Sequence, residues 1–244
     1  MTARGGLARV GLALSALVLL ALGLAYPLTG RAAHELLGTA MLALLVVHVA
    51  LNRRWWRGLH RTPLRARLLL RALANLGMAA AILGLAVISV TVSRLVFAPL
   101  GLEGGVIARD WHIALGWWAL VALGLHLGAN AARLAGLVPR PRAPGRGLRF
   151  GLWALALGLA FWGVEAAARL DLIDKLRMRF GFRMWDFEAD AAGFFLSVAG
   201  VPALIAVPVA LLPRPPAVRP RHPAPGAEPR ASSRPFLFRK EPLR

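Results

Sequence analysis

The chain alternates long apolar runs with short arginine-rich stretches. Six runs are long enough to cross a bilayer as helices, which takes about 17 to 25 residues at a rise of about 1.5 Å each. They cover residues 10–26, ending at Pro27, then 33–51, 72–93, 111–132, 150–168 and 191–212. None has an interior Lys or Arg, and only the second and fifth contain a Glu, in each case near one end. In lipid, a single run of this length can satisfy its backbone polar groups only as a helix. The pattern therefore predicts an all-α integral membrane helical bundle of about six transmembrane helices.

The charge between the runs is lopsided. Arg4 and Arg9, the seven arginines from Arg53 to Arg71, the five from Arg133 to Arg149 and the eight basic residues after Leu212 share one side; the other side holds eight. Nine of the eleven acidic residues, among them Glu103, Asp110, Asp171, Asp174, Asp186 and Glu188, lie on or near that second side. Cytoplasmic loops keep the excess of Lys and Arg. The expectation is a multi-pass protein of a bacterial-type inner (plasma) membrane with both termini cytoplasmic. Arg4 and Arg9 ahead of a run ending Gly23-Leu24-Ala25 also suit a cleavable signal peptide. That run exceeds the roughly 7 to 15 residues of an ordinary signal core, which favours a retained helix. Cleavage would leave the other orientations unchanged.

Residues 169–190 mix both signs with Leu170, Leu172, Ile173, Leu176, Met178 and Phe180, a composition suited to a short amphipathic helix along the external interface. From Pro213 onward Pro, Arg and Ala prevail, and such a segment cannot bury a core. The expected organisation is a four-helix membrane domain over 1–135, two further transmembrane helices with the interfacial segment over 136–212, and a disordered basic cytoplasmic tail over 213–244.

Hydrophobic residues make up 58% of the 244, with mean hydropathy +0.60, above the roughly 45–50% of soluble domains. The bilayer is the natural solvent, and membrane lipid the first partner. A formal net charge of +19 would suggest nucleic acid in a soluble protein. Here the arginines punctuate apolar runs and no nucleic-acid motif accompanies them, so no nucleic-acid partner is expected. There is no cysteine, which excludes disulfides, thiolate-held iron-sulfur clusters and the C-x-x-C-H attachment of c-type haem. No G-x-G-x-x-G follows a strand, so no nicotinamide or flavin domain is fused to the membrane part.

Four of the six histidines form two pairs with the same spacing: His34 with His48 on the second run, His112 with His126 on the fourth. Fourteen residues turn a helix to within about 40° of four full turns and raise it about 21 Å, so both histidines of a pair share one face at opposite depths. With one helix between them, the two histidine helices run in the same direction. His34 can then meet His112 near the external surface, and His48 can meet His126 near the cytoplasmic one. Each couple suits the two axial positions of a six-coordinate haem iron.

The neighbours repeat too. Both helices read R-x-x-H-x-x-x-G-x9-H-x-x-x-N: Arg31, His34, Gly38, His48, Asn52, and Arg109, His112, Gly116, His126, Asn130. Gly38 and Gly116 lie one turn inside the external histidines, where a side chain would collide with a porphyrin. Arg31 and Arg109 can neutralise propionates; Arg53, Arg54 and Arg133 could do so at the inner end. Asn52 and Asn130 suit either inner propionates or helix capping. Singly, such residues have plainer readings: an intramembrane His or Gly often serves helix packing, and arginines flank spans in any case. The matched set is what favours two haem b groups. His60 and His222 lie in basic loops, and the tryptophans fit an aromatic belt.

Two H-x13-H helices in a small bundle resemble the di-haem membrane cytochrome b group, which includes ferric-reductase-type transmembrane domains and the b subunits of hydrogenases and formate dehydrogenases. The stretches H-E-L-L-G through H-V-A-L-N-R-R-W-W and W-H-I-A-L-G through H-L-G-A-N are similar to the small cytochrome-b-like family associated with extracytosolic flavinylation. The resemblance covers roughly residues 10–133; the last two helices and the tail carry no matching motif. It implies a cytochrome b-like four-helix haem-binding core, with His34, His48, His112 and His126 as iron ligands. It also implies electron transfer to an external redox partner protein, an extracytosolic flavoprotein. The missing flavin domain departs from full-length ferric reductases and leaves the donor to quinol or another polypeptide.

Three functions fit these residues. One is transmembrane electron transfer from quinol or a cytoplasmic donor to an external acceptor. A second is a reductase acting directly on an external substrate such as ferric chelate, which needs an open path in the loop 96–110. The third is a non-redox transporter or scaffold. Simple chelation suits it poorly: ligands about 21 Å apart cannot share an ion, and two histidines are sparse for zinc even if Glu35 joins the external pair.

Overall fold

In a computed structural model of the chain, residues 3–61, 66–137, 145–181 and 185–213 are described. The expected tail, His222 included, lies almost wholly outside them. The described residues form helices and turns without a strand: α1 (Ala3–Leu24), α2 (Tyr26–Leu51), α3 (Arg53–Gly58), α4 (Ala66–Val92), α5 (Val106–Leu137), α6 (Arg146–Arg169), α7 (Leu172–Leu176) and α8 (Phe187–Leu211). Five helices, α2, α4, α5, α6 and α8, are long and apolar enough to cross a membrane. The first of the six expected spans corresponds to α1, whose apolar part Val10–Leu24 is shorter. The protein is an all-α helical membrane bundle.

Only Ala25 separates α1 from α2. The chain reverses through a break at Gly30, whose φ of 71° lies in the left-handed region that glycine adopts freely. Residues 26–29, expected to end the first span or link it to the second, belong to the start of α2.

Helix α5 is the centre of the bundle, packed against α1, α4, α7 and α8, while α6 lies against α8. Its Ala119 and Leu120 are wholly buried, beside Trp117 and Leu123 and against Phe194, Val198 and Val201 of α8. Small residues allow the close approach. A Cβ on Gly124 would sit 2.8 Å from Ile205, one on Gly128 2.7 Å from the Ala206 carbonyl, and one on Gly163 of α6 would run into the Gly200 carbonyl of α8. The outward faces are apolar, with Phe161 84% and Ile107 74% exposed, as lipid contact requires.

Residues 169–190 were expected to lie along the interface as an amphipathic helix. Of that stretch, Leu172–Leu176 form α7, a five-residue turn of helix packed on α5 and α6, with Leu172 buried. Asp171 adopts φ 48°, which turns the chain sharply out of α6. The Arg169–Asp190 ion pair (2.9 Å) closes the segment onto the start of α8, where the Asp186 carboxylate caps the helix by accepting from the Glu188 and Ala189 N–H groups.

Candidate functional site

Helical periodicity puts each pair of histidines on one face, and the bundle brings the two faces together. The imidazoles of His34 on α2 and His112 on α5 stand with ring centres 5.7 Å apart and planes at 69°. Toward the other end of the same helices, His126 lies within electrostatic reach of His48 and of Arg133. The pairing is therefore 34 with 112 and 48 with 126, and α2 and α5 share a direction.

These two helices do not pack closely on each other. Helix α2 has no buried residue; it leans on α1 and only grazes α4. Across from it, at the His34–His112 level, lies a cavity of about 810 Å³, within the roughly 300–1,000 Å³ of cofactor sites. Helices α1, α2, α4 and α5 wall it, and residues from the α7 segment close one side.

Four more residues of the repeated motif line this cavity: Arg31, Gly38, Arg109 and Gly116. A Cβ on Gly38 would meet nothing within 4 Å, so this glycine opens the cavity. A Cβ on Gly116 would come 3.3 Å from Leu24, so this one also admits α1.

The polarity of His112 is fixed from behind. The Ser89 hydroxyl donates its single proton to the Leu85 carbonyl (2.6 Å), so in its 3.3 Å contact with His112 Nδ1 it accepts. Nδ1 then carries the ring proton and Nε2 keeps its lone pair, the arrangement that an outer partner gives a metal-binding histidine. On the facing ring, Tyr26 stands edge-on to His34 at 5.2 Å. The backbone of Gly23 on α1 lies against the His34 ring, whereas Nδ1 of His126 is buried and has no hydrogen-bond partner among the described residues.

The two asparagines divide. Asn52 Nδ2 donates to the His48 carbonyl (2.8 Å) at the end of α2, a capping role. Asn130 Nδ2 donates both to the His126 carbonyl (2.9 Å) and to Asn75 Oδ1 of α4 (2.7 Å), deep inside the bundle. Each asparagine thus fastens the turn that carries an inner histidine. His60 sits exposed in the turn Leu59–Arg61.

Glu35, weighed above as an extra external ligand, is held elsewhere. Its carboxylate accepts from the Ser93 hydroxyl (2.6 Å) and from the N–H groups of Arg94 (3.0 Å), Leu95 (2.9 Å) and Val96 (3.0 Å). Both oxygens are committed to the turn that follows α4. Neither this tie, nor the Ser89 contact, nor the α7 wall was found from the sequence. Each depends on which turn of one helix faces which turn of another.

Among the described residues no group of three or more His, Cys, Asp and Glu is placed to hold a metal ion. A bare zinc ion takes four ligands, whereas a haem brings four of its own nitrogens and asks two of the protein. Two imidazoles on one iron, each with a metal–nitrogen distance of about 2 Å, place their ring centres about 6 Å apart. The His34–His112 separation, the cavity beside it, the bare Gly38 position and the unprotonated Nε2 of His112 suit such a group. Neither protein-family models, nor curated proteins, nor solved structures give any match to this chain.

Proposed function

We propose that the protein carries electrons across the membrane through two bis-histidine b-type haems, taking them from quinol or a cytoplasmic donor and delivering them to an external acceptor such as a flavoprotein. The observation that carries this reading is the facing of His34 and His112, 5.7 Å apart, beside a cofactor-sized cavity. The repeat of the same couple by His48 and His126, about four turns further along the same helix faces, supports a second group. When bound, haem supplies a one-electron couple at each level.

The chain's own residues have definite tasks. His34 and His112 would hold the external group and His48 and His126 the inner one. At the external group Arg31 and Arg109 would bind the carboxylates, Gly38 and Gly116 would make room, and Ser89 would keep the His112 proton on Nδ1. The kinship with cytochrome-b-like membrane proteins belongs to this reading, as do the bacterial inner membrane and cytoplasmic termini, which follow from the arginine distribution.

An optical spectrum of the purified full chain tests it. The expected result is b-type bands on dithionite reduction with about two haems per chain. A colourless, haem-free preparation after expression with sufficient haem supply would sink the proposal.

A further inference from the structure

Of the thirty basic residues only two are lysines, Lys175 and Lys240. Lys175 belongs to α7, which is held firmly: Leu172 is buried and the Leu176 carbonyl accepts from Trp118 Nε1 at 3.1 Å. This places the Lys175 ammonium 4.4 Å from the ring centre of Trp117, itself buried. There it borders both the 810 Å³ cavity and a smaller pocket of about 270 Å³ alongside. Asp171 and Asp174 of the same segment also border the large cavity, and Asp171 attracts the ammonium.

We infer that Lys175 is a binding residue of the large cavity, reserved for a carboxylate of the molecule held between α2 and α5. The inference rests on the haem reading, in which that carboxylate is a propionate of the macrocycle at His34 and His112. Arg31 and Arg109 approach the same cavity from α2 and α5, so Lys175 provides a cation from a third element.

Two physical points support it. Burial pulls the Lys175 ammonium below the ordinary lysine range, and Asp171 offsets only part of that. A cation so placed gains from an incoming anion. Lysine also differs from arginine in that it can shed its proton when desolvated and take one up from water when the anion arrives.

Amine acetylation followed by mass spectrometry tests this on the full chain in phosphatidylcholine nanodiscs, with Lys240 as the internal reference. Acetylation proceeds through the neutral amine, so each unit by which pairing raises the amine pKa slows it about tenfold. Lys175 should be slowed at least to that extent in the haem-loaded protein. It should be released in His34→Ala, which gives up the external haem, and stay slow in His48→Ala. Loading with haem dimethyl ester, which has no free carboxylate, should leave Lys175 reactive; equal protection by the ester would mean simple shielding and would overturn the inference.

A second measurement is the midpoint potential of the external haem. Removing a nearby cation disfavours the reduced iron, so Lys175→Met should lower the potential and Lys175→Arg should restore it. An unchanged potential in Lys175→Met would defeat the Lys175 assignment and leave the haem reading standing. Failure of the wild-type chain to take up haem at His34 and His112 would defeat both.

Discussion

Glu35 on α2 and Ser93 just beyond α4 are joined by a 2.6 Å hydrogen bond, and three consecutive N–H groups complete the hold on the same carboxylate. Since α2 barely packs on α4, this one side chain does much to fix the position of the neighbouring His34. Glu35→Ala should lower stability by about 1–2 kcal/mol, the value of charge-assisted hydrogen bonds in a partly solvated setting. Gln at the same position, keeping one acceptor oxygen, should lose less. Thermal unfolding in detergent checks this, and equal melting of all three proteins would contradict it.

The glycines should separate into two kinds. Gly163→Val forces a side chain into the Gly200 carbonyl and Leu204, and overpacking of this sort costs about 1–3 kcal/mol. Gly38→Leu meets nothing in its first atoms and should leave the haem-free bundle as stable as before, while filling the space next to His34. Haem quantification on this variant should show one haem where the unaltered chain has two. Retention of both would mean that Gly38 is only a packing residue.

Asn130 should matter at the inner histidine pair. Asn130→Ala removes a buried bond to Asn75 and one to the His126 carbonyl. Interhelical bonds in membranes contribute about 0.6 to 1.7 kcal/mol, and a loss in that range is expected on unfolding. The spectrum of the inner haem should shift while that of the external haem stays fixed. Asn52→Ala, which breaks only a bond within its own helix turn, should do less.

How far the sequence could be read follows from the range of each signal. Helical periodicity acts within a single segment, so His34 and His48 on one face, and His112 and His126 on another, were legible. Alternating direction through the membrane then supplied the pairing that the 5.7 Å ring separation displays. Register between helices was not legible: nothing in the stretch around Asn75 says that it meets Asn130, or that Ser89 stands behind His112. Nor did the mixed charge of the stretch after α6 say which of its side chains meet. The Arg169–Asp190 pair and the bond from Trp118 to Leu176 are contacts of that kind.

A further expectation concerns electron donors. No segment of the sequence carries a nicotinamide-binding fingerprint, so the purified chain alone should not oxidise NADH or NADPH. Stopped-flow absorbance with either nucleotide should show no haem reduction, while dithionite reduces both groups. Rapid reduction by NADH would demand a nucleotide site that the present account does not contain.

The central claim is that the four histidines act as two couples, and haem quantification with spectra of four single variants tests it most directly. His34→Ala and His112→Ala should each leave one haem per chain with the same residual spectrum. His48→Ala and His126→Ala should each leave one with the other spectrum, because each iron needs both of its own ligands. Two haems retained in all four variants, or residual spectra that group His34 with His48, would contradict the pairing.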